Sequence, residues 1–326
     1  MKAIICNAYG PPEVLQLAEL ERPSPKEHEV LIKVHAATVT AGDVNVRGFT
    51  FVPPGFGLLP RLMFGLKKPK TPVLGTELAG VIEAVGSKVT NFQKGDQVFG
   101  HDSARFGAYA EYACRPAAGP LALKPSNLSF EEAASIPFGA GTALYFLRDR
   151  AKIRPGQKIL IIGASGGVGA YAVQLARYYG ADVTGVCSTG NMELVKSFGA
   201  AQVVDYTRED FTRNGQTYDF IFDTVVGKAS FSRYKPSLSR NGRYIAVAGG
   251  PKEMFQMLWT SLASDKKVLF GTPTENAKDL AFLAQLAEQG HIKPFIDRRY
   301  PLEQAAEAHR YVDSGRKRGN VVLVVV

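Results

Sequence analysis

Cysteine is scarce in this sequence: three residues in 326, Cys6, Cys114 and Cys187, all far apart. No CxxC pair exists, which excludes a local zinc knuckle and argues against a disulfide framework. A reducing compartment, the cytoplasm, is the simplest setting. No apolar run approaches the ~20 residues that a membrane span requires. The opening stretch MKAIICNAYGPPEV has one Lys and a short apolar run ahead of turn residues, so it does not read as a signal peptide. Acidic residues are outnumbered, thirty Asp plus Glu against thirty-nine Lys plus Arg, for a net charge of +9. Such a surplus points to a polyanion, an anionic membrane surface or a small anionic ligand. The basic residues are scattered, however, and no basic run with interleaved aromatics occurs, so no specific nucleic acid is expected. Apolar residues make up 45% of the chain and charged ones 21%, which excludes disorder. The length suits about two domains.

Residues 1–125 read as β-rich. Segments 29–39, 78–86 and 109–115 are short, rich in Val, Ile, Ala and Tyr, and bounded by Gly, Pro, Asn and Asp. Near residue 130 the pattern changes. Ser129 with Glu132 has capping-box spacing ahead of a helical stretch over 130–149. Strand candidates 158–163, 182–186, 202–206, 219–225, 243–249 and 267–272 then alternate with helical ones, notably 168–180 and 191–200. Apolar strands alternating with amphipathic helices predict a doubly wound parallel sheet. Two more helical stretches, 276–290 and 302–315, precede a final apolar strand, 320–326. That strand has no place in the doubly wound unit and is assigned back to the N-terminal domain. The expected architecture is α/β: a β-rich domain from both chain ends around an inserted nucleotide-binding domain, with the active site between them.

The strongest motif is ILIIGASGGVGAYAVQLA at 159–176. A buried strand runs into a Gly-rich turn and then a helix. Ala164, Gly166 and Gly169 occupy the GxGxxG spacing, with Ser165, Gly167 and Val168 between them. Gly166 lets the backbone approach a pyrophosphate, Gly169 lets helix and strand pack, and the helix N-terminus supplies free N–H groups. A ribose-binding acid is expected at the end of the next strand, yet that place holds Cys187, Ser188 and Thr189. Without a carboxylate a 2′-phosphate meets no repulsion, and Ser188 and Thr189 can donate to it, which favours NADP(H). No Arg or Lys sits in that turn, and Lys196, Tyr206 and Arg208 are further candidates.

With these motifs, the chain resembles the medium-chain dehydrogenase/reductase superfamily, in its zinc-independent quinone oxidoreductase type. The likeness spans essentially the full length through GTELAGVIEAVG (75–86), GDQVFG (95–100), GAGTAL (139–144), PGQKILIIGASGGVG (155–169) and GNVVLVV (319–325). It implies a GroES-like β-rich catalytic domain, residues 1–125 with 273–326, and a Rossmann cofactor domain, residues 126–272. Zinc alcohol dehydrogenases of the superfamily carry Cys, His and Cys where this chain has Thr40, Thr76 and Phe138, and none of these is a strong zinc ligand. The four-cysteine zinc lobe is also missing. No metal is expected, and Glu77, a lone carboxylate, reads as structural. The resemblance further implies that Thr142, Gly249, Phe270, Gly271 and Thr272 line the nicotinamide. Asp223, Thr224 and Val225 would border the ribose and adenine, and Asn320 would join the cofactor set.

Without zinc, the implied chemistry is hydride transfer to a quinone or to the β-carbon of an α,β-unsaturated carbonyl. Thr40, Asp43 and Asn45 are candidates for placing donors at the developing enolate oxygen. Asp43 alternatively anchors its own turn. His101 is a candidate proton donor, or a solvated loop residue. His28, His35, His291 and His309 are assigned no chemistry. Segment 49–70 clusters Phe49, Phe51, Phe56, Leu58, Leu59, Leu62, Met63 and Phe64. It reads first as a lid over an apolar pocket, second as packing between domains, and third as a weak membrane-surface contact through Lys67, Lys68 and Lys70. The strand at 267–272 invites a homodimer by edge pairing, unless Lys266 and Lys267 blunt the edge. Two other functions remain in view: zinc-free alcohol/aldehyde dehydrogenase activity, and a non-catalytic NADPH-binding regulatory or nucleic-acid-binding protein.

Overall fold

The computed structural model describes residues 1–50, 52, 58–225 and 231–326. Its strands are Lys2–Cys6 (β1), Leu15–Glu19 (β2), Glu29–Thr38 (β3), Glu77–Val85 (β4), Gln97–His101 (β5), Tyr112–Pro116 (β6), Leu121–Leu123 (β7), Lys158–Ile162 (β8), Asp182–Cys187 (β9), Gln202–Asp205 (β10), Tyr218–Asp223 (β11), Leu238–Ala246 (β12), Lys267–Leu269 (β13), Ile296–Pro301 (β14) and Asn320–Val324 (β15). Its helices are Ala41–Gly48 (α1), Leu58–Phe64 (α2), Phe130–Ala134 (α3), Pro137–Leu144 (α4), Gly167–Tyr178 (α5), Met192–Ser197 (α6), Phe231–Tyr234 (α7), Pro251–Ala263 (α8), Ala277–Glu288 (α9) and Ala305–Asp313 (α10). They form two compact units. One holds Met1–Phe138, Glu275–Glu288 and Pro294–Val326; the other holds Gly139–Thr274 and Gln289–Lys293.

In the first unit a sheet runs β14-β15-β3-β4-β5-β7, with β6 also paired to β3. The last strand of the chain, β15, lies antiparallel to β3, with Val322 opposite Thr38. β3 is the hub of this unit. Its Val30, Ile32 and Val34 are fully buried, and each contributes about 1.5–3 kcal/mol by leaving water. Gly80 on β4 is required by close approach: a Cβ there would stand 2.1 Å from the Lys33 carbonyl oxygen.

The second unit is a parallel sheet in the order β10-β9-β8-β11-β12-β13. The order reverses between β8 and β11, so the loops following these two strands sit at the switch point where such folds bind ligands. This is the doubly wound unit expected from the alternating pattern.

Several predicted elements differ in extent; the strand over 243–249, for one, runs over Leu238–Ala246. The helix over 130–149 is broken into α3, α4 and a π-helical turn at Tyr145–Ala151. Pro137 lacks the N–H needed to continue the ladder, and the Phe138 N–H goes to the Glu77 side chain instead. The strand over 109–115 starts its pairing with β3 only at Tyr112, because Ala110 bridges Ala3 on β1. The strand over 267–272 ends at Leu269, leaving Phe270, Gly271 and Thr272 in the following loop. Phe51 and Phe56 of the predicted lid lie outside the described residues. The rest of that segment includes helix α2, which carries Arg61 and Leu62. The Arg61 guanidinium stacks over the Phe49 ring at 4.5 Å, and Leu62 is exposed.

Candidate active site

The phosphate loop is built where strand β8 hands over to helix α5. Gly163 turns the chain at φ 77°, and a Cβ there would lie 2.4 Å from the Thr224 hydroxyl. Gly166 is the N-cap of α5 and has no side-chain cap. The first turn closes with the Ala170 N–H donating to the Gly166 carbonyl, so the N–H groups of Gly167, Val168 and Gly169 have no acceptor within the helix. A Cβ on Gly169 would lie 2.1 Å from the Gly163 carbonyl oxygen. The loop is therefore a cradle held open by missing side chains, with three donors and the positive end of a helix at its centre. Ala164 is buried beneath it. These features fit a pyrophosphate.

The adenosine end gathers around β9 and β10. Asn191 donates to the hydroxyls of both Ser165 and Ser188, tying the phosphate loop to the end of β9. Asp205, at the end of β10, accepts from the hydroxyl of Thr189 and from the backbone N–H and hydroxyl of Thr207. These bonds hold its carboxyl below the usual carboxylate range. The Thr189 proton is thus given to Asp205, which leaves Ser188 as the free hydroxyl donor of the predicted pair. Arg208 places its Nε 3.7 Å from Asp205 with most of its side chain in solvent, and Tyr206 beside it is 63% exposed. Sequence reading missed Asn191 and Asp205, though an acid closing a strand at Asp205 was a usable signal.

Near β11, Asp223 is buried and accepts from the Val225 N–H and the Tyr244 hydroxyl; burial pushes its carboxyl up to about 6. The Thr224 hydroxyl donates to the Ile162 carbonyl and so fastens β11 to β8. Asp223 and Thr224 hold the switch-point loops in place. Phe270 packs against Gly249, where a Cβ would meet its ring at 2.8 Å, and a Cβ on Gly271 would lie 2.6 Å from the Tyr145 hydroxyl. Thr142 is buried on α4, and Thr272 is exposed. Asn320 stands in the first unit, where its side chain donates to the Phe295 carbonyl.

In the first unit the turn into α1 is a capping box. The Asp43 N–H donates to the Thr40 hydroxyl, and Asp43 Oδ2 accepts from the Thr40 N–H and hydroxyl at 2.9 and 2.6 Å. The anchoring reading of Asp43 is thus realised in the structure. Its burial pushes the carboxyl up to about 6. Behind it lies a buried polar chain: His309 Nε2 sits 3.2 Å from the Tyr109 hydroxyl, and Arg47 packs on His309 before pairing with Asp313 at 2.8 Å. Burial, with Arg47 adjacent, pushes His309 down to about 3. Asn45 accepts from the Thr50 hydroxyl through its carboxamide oxygen, which leaves its N–H2 as a donor.

A second cluster forms where β4 pairs with β5. Glu77 and His101 are directly opposite. Glu77 is buried and accepts from the Thr38 hydroxyl and the Phe138 N–H. Burial pushes its carboxyl up to about 8 against the pull of these donors and of Lys317. Because the folded state raises this acid above its ordinary value of 4.5, its contribution to stability is full at low pH and is lost as pH rises toward about 8. Glu77→Gln is therefore expected to flatten the fall of melting temperature across that window. Parallel curves for both proteins would contradict it. His101 is 8% exposed, so it is no solvated loop residue, and its ring packs edge-on against Phe138 at 5.5 Å.

Thr40, Thr76 and Phe138 present two hydroxyls and a phenyl ring, and among the described residues no group of three or more His, Cys, Asp or Glu side chains could hold a metal. These residues do not fit a zinc ion. Among the described residues no helix is long and apolar enough to cross a membrane.

Comparison with known proteins places this geometry. A family model described as alcohol dehydrogenase GroES-like domain matches residues 26–126, and one described as zinc-binding dehydrogenase matches residues 198–323. The chain is 34% identical to the chloroplast envelope quinone oxidoreductase homolog of Arabidopsis thaliana, over 99% of this chain and 98% of that protein. Among solved structures it is similar to the quinone oxidoreductase from Coxiella burnetii, with a TM-score of 0.87, 29% identity and coverage of 100% and 99%. It is also similar to the Escherichia coli quinone oxidoreductase complexed with NADPH, with a TM-score of 0.81, 27% identity and full coverage of both chains.

Proposed function

The chain belongs to the medium-chain dehydrogenase/reductase superfamily as a quinone oxidoreductase-like oxidoreductase, and on that premise we propose that it is a zinc-independent, NADPH-dependent reductase of quinones or α,β-unsaturated carbonyls. The observation that carries this reading is a pairing of features. An intact phosphate cradle stands in a chain whose three zinc-ligand places hold Thr40, Thr76 and Phe138. The Escherichia coli relative complexed with NADPH supports the choice of cofactor. So does the end of β9, where Ser188 offers a hydroxyl and no carboxylate stands in the 187–189 turn.

NADPH, when bound, supplies a hydride from its nicotinamide ring. Gly167, Val168 and Gly169 hold its pyrophosphate by their N–H groups. Gly249, Phe270, Gly271, Thr272 and Thr142 line the ring, and Asp223, Thr224 and Val225 border the ribose. Asn45 donates to the substrate oxygen as enolate charge develops. Thr40 and Asp43, committed to each other, set the shape of that turn. His101 delivers the proton.

A substrate panel tests the reading. Purified protein with NADPH is offered a quinone, an enone, a saturated ketone and a saturated aldehyde. Turnover of the first two alone is expected. Reduction of only the saturated carbonyls would establish the alcohol dehydrogenase chemistry instead.

The partner proposed is a second copy of the chain. β13 ends the sheet, and Lys266 and Lys267 turn their ammonium groups onto the carbonyls of Lys235, Thr260 and Ser261 rather than across the edge. The adjoining helix α8 leaves Met254, Phe255, Leu258, Trp259 and Leu262 between 49% and 90% exposed along one stripe. So large an apolar patch marks an interaction surface. Leu258→Glu with Leu262→Glu is expected to convert a dimer to a monomer in sedimentation velocity. A monomeric unmodified protein would contradict it.

A further inference from the structure

The proton donor of the proposed reductase has a neighbour that no motif announces. His101 Nδ1 lies 3.3 Å from Glu275 Oε1, although the two residues are 174 positions apart. Glu275 is itself held. Its other carboxylate oxygen accepts the Ser103 N–H at 3.0 Å, and it directly precedes Asn276, which caps α9 by accepting the Asp279 N–H. The imidazole is thus gripped at one nitrogen by a carboxylate that has its own backbone anchor. A carboxylate at Nδ1 fixes the tautomer and orientation of a histidine, leaving Nε2 to work.

The surroundings complete the picture. Asp102, next along the chain, turns its Oδ1 to the N–H groups of Ala104 and Arg105. Arg115, on β6, is buried with Nη1 donating to the Cys114 carbonyl, and among the described residues its Nη2 has no partner. Glu77 stands across the strand pair. The groups facing His101 are therefore two carboxylates that favour its charged form, Glu275 and Asp102, one guanidinium that opposes it, and Glu77. Burial outweighs the carboxylates and holds the imidazole below its ordinary range.

We propose that Glu275 is a positioning residue for His101, and that the pair acts as one proton-donating unit. The proposal rests on the reductase reading above. Hydride reaches the β-carbon of the enone, and the carbon–carbon π electrons move to form an enolate. A new C–H bond then forms at the α-carbon with the proton from His101 Nε2. The imidazole is left neutral, with its Nδ1–H on Glu275, and it regains a proton from solvent.

Two measurements on the full-length protein test this. In the first, NMR of 15N-labelled histidine reads the tautomer of His101, identified as the resonance missing in His101→Gln. The neutral ring is expected as the Nδ1–H tautomer in the unmodified protein and in Glu275→Asp, and as a mixture in Glu275→Gln. In the second, the pH profile of enone reduction is recorded. The rate falls as pH rises through the His101 titration, because the charged form donates. Glu275→Gln is expected to move that fall to lower pH by about one unit and so slow the reaction about tenfold on its flank. Glu275→Asp should restore most of the loss, with the KM for NADPH unchanged in both. An unshifted profile in Glu275→Gln overturns the role of Glu275 while the reductase reading stands. Absence of enone reduction by the unmodified protein removes that reading, and the catalytic role of the pair with it, whatever the tautomer.

Discussion

Gly169→Ala is expected to weaken NADPH binding at least a hundredfold, a loss of about 3 kcal/mol. The new methyl group would lie 2.1 Å from the Gly163 carbonyl oxygen, 2.8 Å from its carbon and 3.0 Å from the Ala164 Cα. All three are backbone atoms, so no side chain can swing aside. Nor can the loop retreat, because Gly163 sits at φ 77° with the Thr224 hydroxyl 2.4 Å from where its own Cβ would be. Helix α5 would have to lift from β8, carrying the N–H groups of Gly167, Val168 and Gly169 away from the pyrophosphate. Gly190→Ala serves as the control. It lies in the turn after β9, meets nothing within 4 Å, and should change binding by no more than ~0.5 kcal/mol. Fluorescence titration with NADPH on variants of confirmed fold makes the comparison. Equal affinities for the two variants would contradict the cradle.

His101→Gln is expected to lower kcat for an enone by roughly a hundredfold to a thousandfold, the ordinary contribution of a general acid. The same change should cost a quinone much less. A reduced quinone carries its charge on oxygen and takes a proton readily from water, whereas an enolate must be protonated at carbon, where a placed donor matters most. The KM for NADPH should stay as it is, since His101 belongs to the first unit and the phosphate cradle to the second. A uniform loss on both substrate classes would point to damage in the fold. No loss on the enone would transfer the proton step to solvent.

The phosphate cradle was legible in the sequence because its parts are contiguous. A buried strand, a glycine turn and a helix within eighteen residues need no distant partner to declare themselves. The capping box at Thr40 and Asp43 was half legible for the same reason. Its spacing sits in one turn, yet nothing local tells a catalytic carboxylate from an anchoring one. The broken helix at Pro137 shows the reverse case: the proline was visible, but the acceptor of the next N–H, Glu77, lies 61 residues earlier. Glu275 and His309 were invisible because each acquires meaning only from a contact across the fold. His101 looked equally like a solvated loop residue until β5 carried it into a buried place opposite Glu77. The basic surplus is sharpened rather than removed. Arg47 and Arg115 are buried, Lys266 and Lys267 fold onto their own chain, and Arg208 stands near the predicted 2′-phosphate place.

The most direct test of the central claim is the rate of enone reduction by NADPH, measured on protein dialysed against a strong chelator and assayed for metal by mass spectrometry. The expected result is an unchanged rate with no stoichiometric zinc. A rate lost on chelation and restored by added zinc would contradict it.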